Sequence, residues 1–152
     1  MKSLIAFAAI LLTALSVSAQ NPKKGKPTLN HLALYVYNLE ESTKFYRDVV
    51  GLDTIPEPFH DGRHTWFSVG GPNSHLHLIQ GAKAKTEHEK NIHTCFSVPS
   101  VAEFIKVLDK NKITYENWAG EKQAVTKRVD GVTQLWCKDP DGYWVEINDD
   151  YK

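Results

Sequence analysis

The sequence lacks the features that would mark several common classes of protein. It has no run of Lys or Arg long enough to form a phosphate-binding stripe, and its 18 Lys and Arg are balanced by 18 Asp and Glu. A nucleic-acid-binding surface is therefore not indicated. Two cysteines, Cys95 and Cys137, are too few for a disulfide framework, and we expect two buried free thiols. The 152 residues suit one globular domain with its own core.

The first nineteen residues differ in character from the rest of the chain. Lys2 precedes an apolar stretch from Leu4 to Val17, and small residues lead up to Ala19. This pattern is typical of a secretory signal peptide that is cleaved after Ala19. An uncleaved membrane anchor is the alternative, although the apolar run is shorter than the ~20 residues of a span. We therefore expect a periplasmic or secreted protein with a signal peptide at 1–19, a flexible leader at 20–28 and no membrane span after cleavage.

The remaining chain contains the same order of elements twice. In each half a β-prone strand leads into a helix, whose first turn is capped by Asn38 in one half and Ser100 in the other. Three short strand candidates then follow in each half. The pattern predicts an α+β domain over 29–150, built from two tandem βαβββ modules at 29–81 and 91–150. The strands are predicted at 29–37, 52–57, 64–70 and 74–80, and at 92–98, 113–118, 132–138 and 143–149.

Metal-ligating residue types lie inside the first and last predicted strands of both modules. His31 and His93 lie in the two first strands, and Glu146 lies in the final strand between apolar neighbours. Either His75 or His77 completes the set, because both share one face of their strand. A buried carboxylate needs a partner, and imidazole with carboxylate is a suitable ligand set for Zn²⁺, Fe²⁺, Mn²⁺ or Ni²⁺. His60, His64 and His88 lie in loop-like or loop-flanking segments and are interpreted as surface residues.

The motifs resemble those of the vicinal oxygen chelate superfamily, which includes glyoxalases, bleomycin resistance proteins and dioxygenases. Residues 29–36, 39–46 and 51–52 are similar to the first strand and helix of that family. Residues 139–143 and 145–147 are similar to its closing turn and metal strand. The resemblance covers residues 29–149.

The resemblance implies a fold and a ligand set. It implies a curved eight-stranded mixed sheet around a metal cavity, with the first and fourth strands of each module as neighbours. It also implies one divalent metal ion and favours His77 over His75. The implied ligands are His31, His77, His93 and Glu146. Cys95 and Cys137 would be separated by a strand, and members of this size often pair, so a homodimer with a shared site is one possibility.

Three functions are compatible with the resemblance. The first is a glyoxalase-I-like lyase or isomerase acting on a small substrate that chelates the metal through two neighbouring oxygens, with Glu146 as general base. His77 stands where bacterial members of that type usually carry Glu. The alternatives are a single-domain extradiol-type dioxygenase, in which His77 acts as acid–base catalyst, and a non-catalytic small-molecule binding protein of the bleomycin-resistance type. By alternation, Tyr35 and Trp144 are candidates for lining the substrate pocket.

Overall fold

The computed structural model describes residues 25–71 and 73–151, so the predicted signal peptide and residues 20–24 lie outside the described residues. None of the helices in this part of the chain is long and apolar enough to cross a membrane. The strands are β1 (His31–Val36), β2 (Thr54–Ile55), β3 (His64–Ser68), β4 (His75–Gln80), β5 (His93–Ser97), β6 (Tyr115–Glu116), β7 (Thr126–Lys127), β8 (Thr133–Lys138) and β9 (Trp144–Asn148). The helices are α1 (Leu39–Lys44), which continues as a π-helical turn (Phe45–Val49), and α2 (Val101–Lys110).

The strands form two mixed sheets that repeat the same topology. The first sheet has the order β1-β4-β3-β2, and the second has the order β5-β9-β8-β6, with β7 pairing with β8. In both sheets the first and fourth strands of the repeat, β1 with β4 and β5 with β9, are parallel neighbours, and the remaining pairs are antiparallel. The structure confirms the α+β repeat and the predicted strand neighbours.

The strand count departs from the prediction of one curved sheet of eight strands, because the described residues form sheets of four and five strands that do not close on each other. The additional strand, β7, forms a hairpin with β8. The loop runs from Val129 to Gly131, the Gly131 N–H donates to the Arg128 carbonyl oxygen (2.9 Å), and the Asp130 side chain accepts the Val132 N–H. Gly131 has a φ of 91°. A turn that ends in a glycine with positive φ is a common hairpin connection, and the sequence interpretation overlooked this one.

Both helices start where the capping residues predict. The Asn38 side chain accepts hydrogen bonds from the backbone N–H groups of Glu40 and Glu41, and the Ser100 hydroxyl accepts one from Glu103. These bonds satisfy amide groups that the first turn of a helix leaves without partners. The π-helical turn that extends α1 ends before Gly51, whose φ of 87° favours glycine.

One hydrophobic core joins the two modules. Its buried residues come from the helical elements and strands of both halves, and include Val36, Phe67, Leu78, Leu108 and Ile147. A common core of this kind holds the two sheets on a single body.

The turn between β8 and β9 adds polar contacts to this junction. The Asp141 carboxylate accepts hydrogen bonds from the Tyr37 N–H (2.6 Å) and the Ser42 hydroxyl (2.6 Å). The Asp139 carboxylate accepts one from the Tyr46 hydroxyl (2.9 Å). These contacts lock the second module's closing turn onto the first module's helix.

Candidate metal centre

In the first sheet, His31 and His77 form a pair. Their rings are stacked, with centroids 4.3 Å apart and planes 12° from parallel. The strand register places Ala33 of β1 opposite His77 of β4, and His31 opposite His75. The two imidazoles are therefore diagonal neighbours on one face of the sheet.

In the second sheet, His93 and Glu146 form a closer pair. His93 Nε2 lies 3.0 Å from Glu146 Oε2. The register places Cys95 of β5 opposite Glu146 of β9, and His93 opposite Trp144. This pair is again diagonal across the parallel first and fourth strands.

The repeated register assigns equivalent positions in the two modules. Ala33 lies two residues after His31 and faces His77 across the sheet. Cys95 lies two residues after His93 and faces Glu146 in the same way. His77 and Glu146 therefore occupy equivalent positions. His75 is then equivalent to Trp144, which is not a ligand type. The internal repeat thus favours His77 over His75 as the partner of His31, in agreement with the choice made on the family resemblance.

In His31 and His93, the histidines of the two first strands, Nδ1 is hydrogen-bonded within the chain and Nε2 is left for another partner. His31 Nδ1 lies 2.8 Å from Asn30 Oδ1, and His93 Nδ1 lies 2.8 Å from the carbonyl oxygen of Lys90. Since both partners are acceptors, Nδ1 carries the proton in each ring. In the neutral ring Nε2 then bears the lone pair that a metal ligand needs.

His77 is neutral and has an unused nitrogen. Its Nε2 is buried and has no hydrogen-bond partner. Desolvation, followed by the nearby His31, His75 and His64, lowers the pKa of His77 to about 4. The ring also stacks on Trp66 at a centroid distance of 3.9 Å. A buried polar atom without a partner is uncommon in folded proteins, and a neutral imidazole is the form that coordinates metals.

A hydrogen-bonded chain fixes the Glu146 carboxylate. Asn148 Nδ2 donates to Glu146 Oε1 (3.1 Å) and to Cys95 Sγ (3.1 Å), while the Ser97 hydroxyl donates to Asn148 Oδ1 (2.9 Å). These bonds leave Oε2 facing His93. The alternation of the strand placed Asn148 on the same face as Glu146, but only the fold shows that it orients the carboxylate.

The two cysteines are free, as predicted, and β9 separates the strands that carry them. The prediction that both are buried is wrong for Cys95, which is exposed on the edge strand β5, whereas Cys137 on the inner strand β8 is buried. Partial desolvation and then the Glu146 carboxylate raise the pKa of Cys95 to about 12. The Cys95 thiol is therefore protonated beside the His93–Glu146 pair.

A cavity of about 550 Å³ lies over the face of the first sheet that carries His31 and His77. His64, interpreted from sequence as a surface loop residue, lies in β3 and lines this cavity together with Trp66 and Phe59. The Asp61 carboxylate lies 2.8 Å from His64 Nδ1. The predicted strand at 64–70 begins at His64, but this residue flanks a loop and was therefore interpreted as a surface residue.

Tyr35 and Trp144, the two residues predicted to line the substrate pocket, lie in different surroundings. Tyr35 is about half exposed at the end of β1, opposite Ile79 of the same cavity wall. Trp144 donates a hydrogen bond from Nε1 to the carbonyl oxygen of His88 (2.9 Å) and lies beneath the Lys90 and Lys138 ammonium groups. Their contact with a substrate remains a prediction.

The structure brings the four predicted ligands together as two pairs, one on each sheet. Among residues 25–71 and 73–151, no group of three or more His, Cys, Asp or Glu side chains lies close enough to hold a metal ion. Among the described strands, β1, which carries His31, pairs with β4 alone, and β5, which carries His93, pairs with β9 alone. Each pair therefore supplies two of the four predicted ligands.

The fold defines a class: proteins with duplicated βαβββ modules, here with a pair of His or Glu side chains on the first and fourth strands of each module. The model of the Glyoxalase/Bleomycin resistance protein/Dioxygenase superfamily matches residues 28–147. The chain belongs to this superfamily.

Individual relatives are distant. A lactoylglutathione lyase from Pseudomonas putida is 27% identical over 170 residues, covering 90% of this chain and 94% of the lyase. The mitochondrial methylmalonyl-CoA epimerase of Mus musculus is 30% identical over 95 residues, covering 56% of this chain and 53% of the epimerase. A fosfomycin resistance protein from Listeria monocytogenes has a similar fold, with a TM-score of 0.65 and 17% identity, covering 82% of this chain and 93% of that protein.

Proposed function

We propose that the protein is a divalent-metal-dependent lyase or isomerase of the glyoxalase I type, with the metal held by His31, His77, His93 and Glu146. Its substrate is a small molecule that presents two neighbouring oxygens to the metal. The lactoylglutathione lyase that aligns along nearly all of the chain supports this reaction class.

The contact between His93 and Glu146 carries the proposal. His93 Nδ1 donates to the Lys90 carbonyl oxygen, so Nε2 of the neutral ring is an acceptor. Glu146 Oε2, also an acceptor when ionised, lies 3.0 Å away. Two acceptors at this distance require a positive centre between them, either a proton or a metal ion. Adjacent ligands of an octahedral metal at ~2.1 Å also lie about 3 Å apart, so the pair fits a metal ion.

Glu146 is the group that moves the proton in this proposal. Its carboxylate takes a carbon-bound proton next to the substrate carbonyl and returns it to the neighbouring carbon, which converts one isomer into the other with no net change in protons. A divalent metal held by His31, His77, His93 and Glu146 would supply Lewis-acid polarisation of that carbonyl. Asn148 donates to Oε1 and so orients the carboxylate for this step.

We further propose that two copies of the chain complete the metal site. The two ligand pairs do not form one group in the described part of a single chain, and β1 and β5 each have an unpaired edge. Leu29, Leu32 and Ile92 at these edges are exposed. A two-fold dimer that sets one copy's β1 beside the other's β5 would cover them and join His31 and His77 to His93 and Glu146.

The proposed location is the periplasm or the exterior of the cell. It rests on the pattern of residues 1–19, and mass spectrometry of the mature protein tests it. An N-terminus at Gln20 is expected. An intact Met1 in protein recovered from membranes would instead support an uncleaved anchor.

The test of the proposed function combines metal analysis with turnover. Untagged protein is expected to contain a divalent metal and to convert the hemithioacetal formed from methylglyoxal and a thiol. Glu146→Gln is expected to reduce kcat by about a hundred-fold or more, while Glu103→Gln, at an exposed position on α2, retains the wild-type rate. Bound iron with catechol-dependent oxygen uptake would favour the dioxygenase. No bound metal and no turnover would favour the non-catalytic binding protein.

A further inference from the structure

Lys90 lies at the end of the linker that leads into β5, with its ammonium group inside a cage of aromatic rings. Its Nζ is 4.9 Å from the ring centroid of Trp144, 5.2 Å from that of Trp136 and 5.8 Å from that of Trp118. Only 14% of its side chain is exposed. Such an arrangement stabilises a desolvated cation through cation–π interactions.

Hydrogen bonds occupy the three donors of this ammonium group. Lys90 Nζ donates to Glu116 Oε1 (2.7 Å), to the carbonyl oxygen of Asn117 (2.7 Å) and, more weakly, to the carbonyl oxygen of Trp118 (3.4 Å). An ammonium group has three donors in all. Lys90 is therefore not available to bind a ligand, and its side chain acts as an anchor.

The anchored residue also supplies the acceptor for His93. The carbonyl oxygen of Lys90 lies 2.8 Å from His93 Nδ1, and His93 Nε2 points to Glu146 Oε2 at 3.0 Å. Apart from Lys90, the linker from residue 83 to residue 92 is exposed except at His88. Other linker residues have contacts of their own, since Trp144 Nε1 donates to the His88 carbonyl oxygen and Lys138 pairs with Glu87. The cage is the contact that holds Lys90 itself.

We infer that Lys90 is a positioning residue, which fixes the tautomer and orientation of the His93 ring through its own backbone carbonyl. Partners of this kind hold ligand histidines with the correct nitrogen toward a metal. The effect on metal affinity rests on the proposed function. The effect on the His93 tautomer does not, since the hydrogen bond is present without a metal.

Lys90→Met tests the inference, because it keeps a long side chain and removes the charge and the donors. Long-range proton–nitrogen correlation spectra of the metal-free protein, recorded above neutral pH, report the tautomer of each histidine. In the wild type His93 Nδ1 is expected to carry a proton, which the Lys90 carbonyl oxygen accepts. In the variant the Nε2–H form should appear, while the signals of His31 and His64 stay unchanged. A general loss of structure would move all three.

Lys138→Met is the matched control. Lys138 Nζ lies over the same Trp144 ring at 4.8 Å, but its side chain pairs with Glu87 and its carbonyl accepts no bond from His93. The His93 signals should therefore keep their wild-type pattern. Ni²⁺ titration should show affinity about ten- to a hundred-fold weaker for Lys90→Met and unchanged for Lys138→Met.

Glu116→Gln keeps the test decisive if Lys90→Met does not fold. It removes the counter-ion of the ammonium group and should shift the His93 tautomer in the same direction by less. Folded variants that keep the wild-type tautomer would overturn the inference. A tautomer that changes in a protein whose wild type binds no Ni²⁺ would uphold the positioning role and refute the proposed metal site.

Discussion

Single buried polar residues fall into two kinds in this molecule. Asp139 is buried with every acceptor used, because the Tyr46 hydroxyl and the backbone N–H groups of Asp141 and Tyr143 donate to it. His77 Nε2 is buried without any partner. The first arrangement is structural, since it links the modules. In the second arrangement a buried ring nitrogen has no hydrogen-bond partner within the protein, and a bound metal ion would supply one. This makes His77 a candidate ligand.

Asp139 gives a prediction on pH. Burial raises the pKa of Asp139 to about 6, from an ordinary value of about 4. Between these values the folded protein binds more protons than the unfolded chain, so the contribution of Asp139 to stability falls as pH rises through this window. Asp139→Asn, whose side-chain oxygen can still accept the backbone bonds, should gain stability relative to the wild type from pH 4 to pH 7, by roughly 2 kcal/mol.

Denaturant unfolding at several pH values measures this difference. Asp53→Asn is the control, because Asp53 is exposed, and its stability difference from the wild type should not vary with pH by a comparable amount. A constant difference for Asp139→Asn across the same range would show that the buried carboxyl has an ordinary pKa.

The longer elements could be predicted well from the sequence, whereas the two-residue strands could not. Strand β1, the cap at Asn38, helix α2 and the turn after Lys138 followed from alternation, capping chemistry and the Asp-Pro-Asp-Gly sequence. β2 shrank to Thr54–Ile55 because prolines at positions 56 and 58 lack backbone donors. β7 was missed because a strand of two residues is too short to show an alternation of apolar and polar residues. Its pairing also depends on the neighbouring β8.

The two hairpin turns that flank β8 give an element-scale prediction. Gly131 (φ 91°) and Gly142 (φ 92°) both have left-handed backbones, but a Cβ on Gly142 would lie 2.1 Å from the carbonyl oxygen of Thr86, whereas Gly131 faces open space. Gly131→Ala should cost about 1 kcal/mol from backbone strain alone. Gly142→Ala should cost at least about 1 kcal/mol more, because the linker must also move.

Thermal or urea unfolding of the two variants compares them directly. Equal losses of stability would mean that the linker near Thr86 does not rest against the closing turn. A larger loss for Gly142→Ala supports the close packing of this turn between the first module and the linker.

At the scale of the whole molecule, the repeat explains both the success and the limit of sequence reasoning. Duplicated positions identified the four candidate ligands, because each module carries its pair on the same two strands. The sequence could not tell how the pairs meet, since this depends on which sheet edges come together. In the described chain the His31–His77 and His93–Glu146 pairs lie on separate sheets, and we propose that a second copy unites them.

Complementation tests the shared site. One chain carries His31→Ala with His77→Ala, and the other carries His93→Ala with Glu146→Ala. Neither should bind Ni²⁺ as a homodimer, since each site lacks two ligands. After mixing under conditions that exchange subunits, about a quarter of the wild-type sites should reappear, because half of the dimers then hold one intact site. No recovery, with a wild type that binds metal as a monomer in light scattering, would show that one chain completes the site.

The most direct measurement is a Ni²⁺ titration by calorimetry of the wild type, His77→Ala and His75→Ala. The two histidines lie on the same strand face, but only His77 occupies the position equivalent to Glu146. We predict tight binding to the wild type, nearly unchanged binding to His75→Ala, and affinity at least about a hundred-fold weaker for His77→Ala. Binding that survives in His77→Ala and disappears in His75→Ala, or a wild type that binds no metal, would contradict the proposed centre.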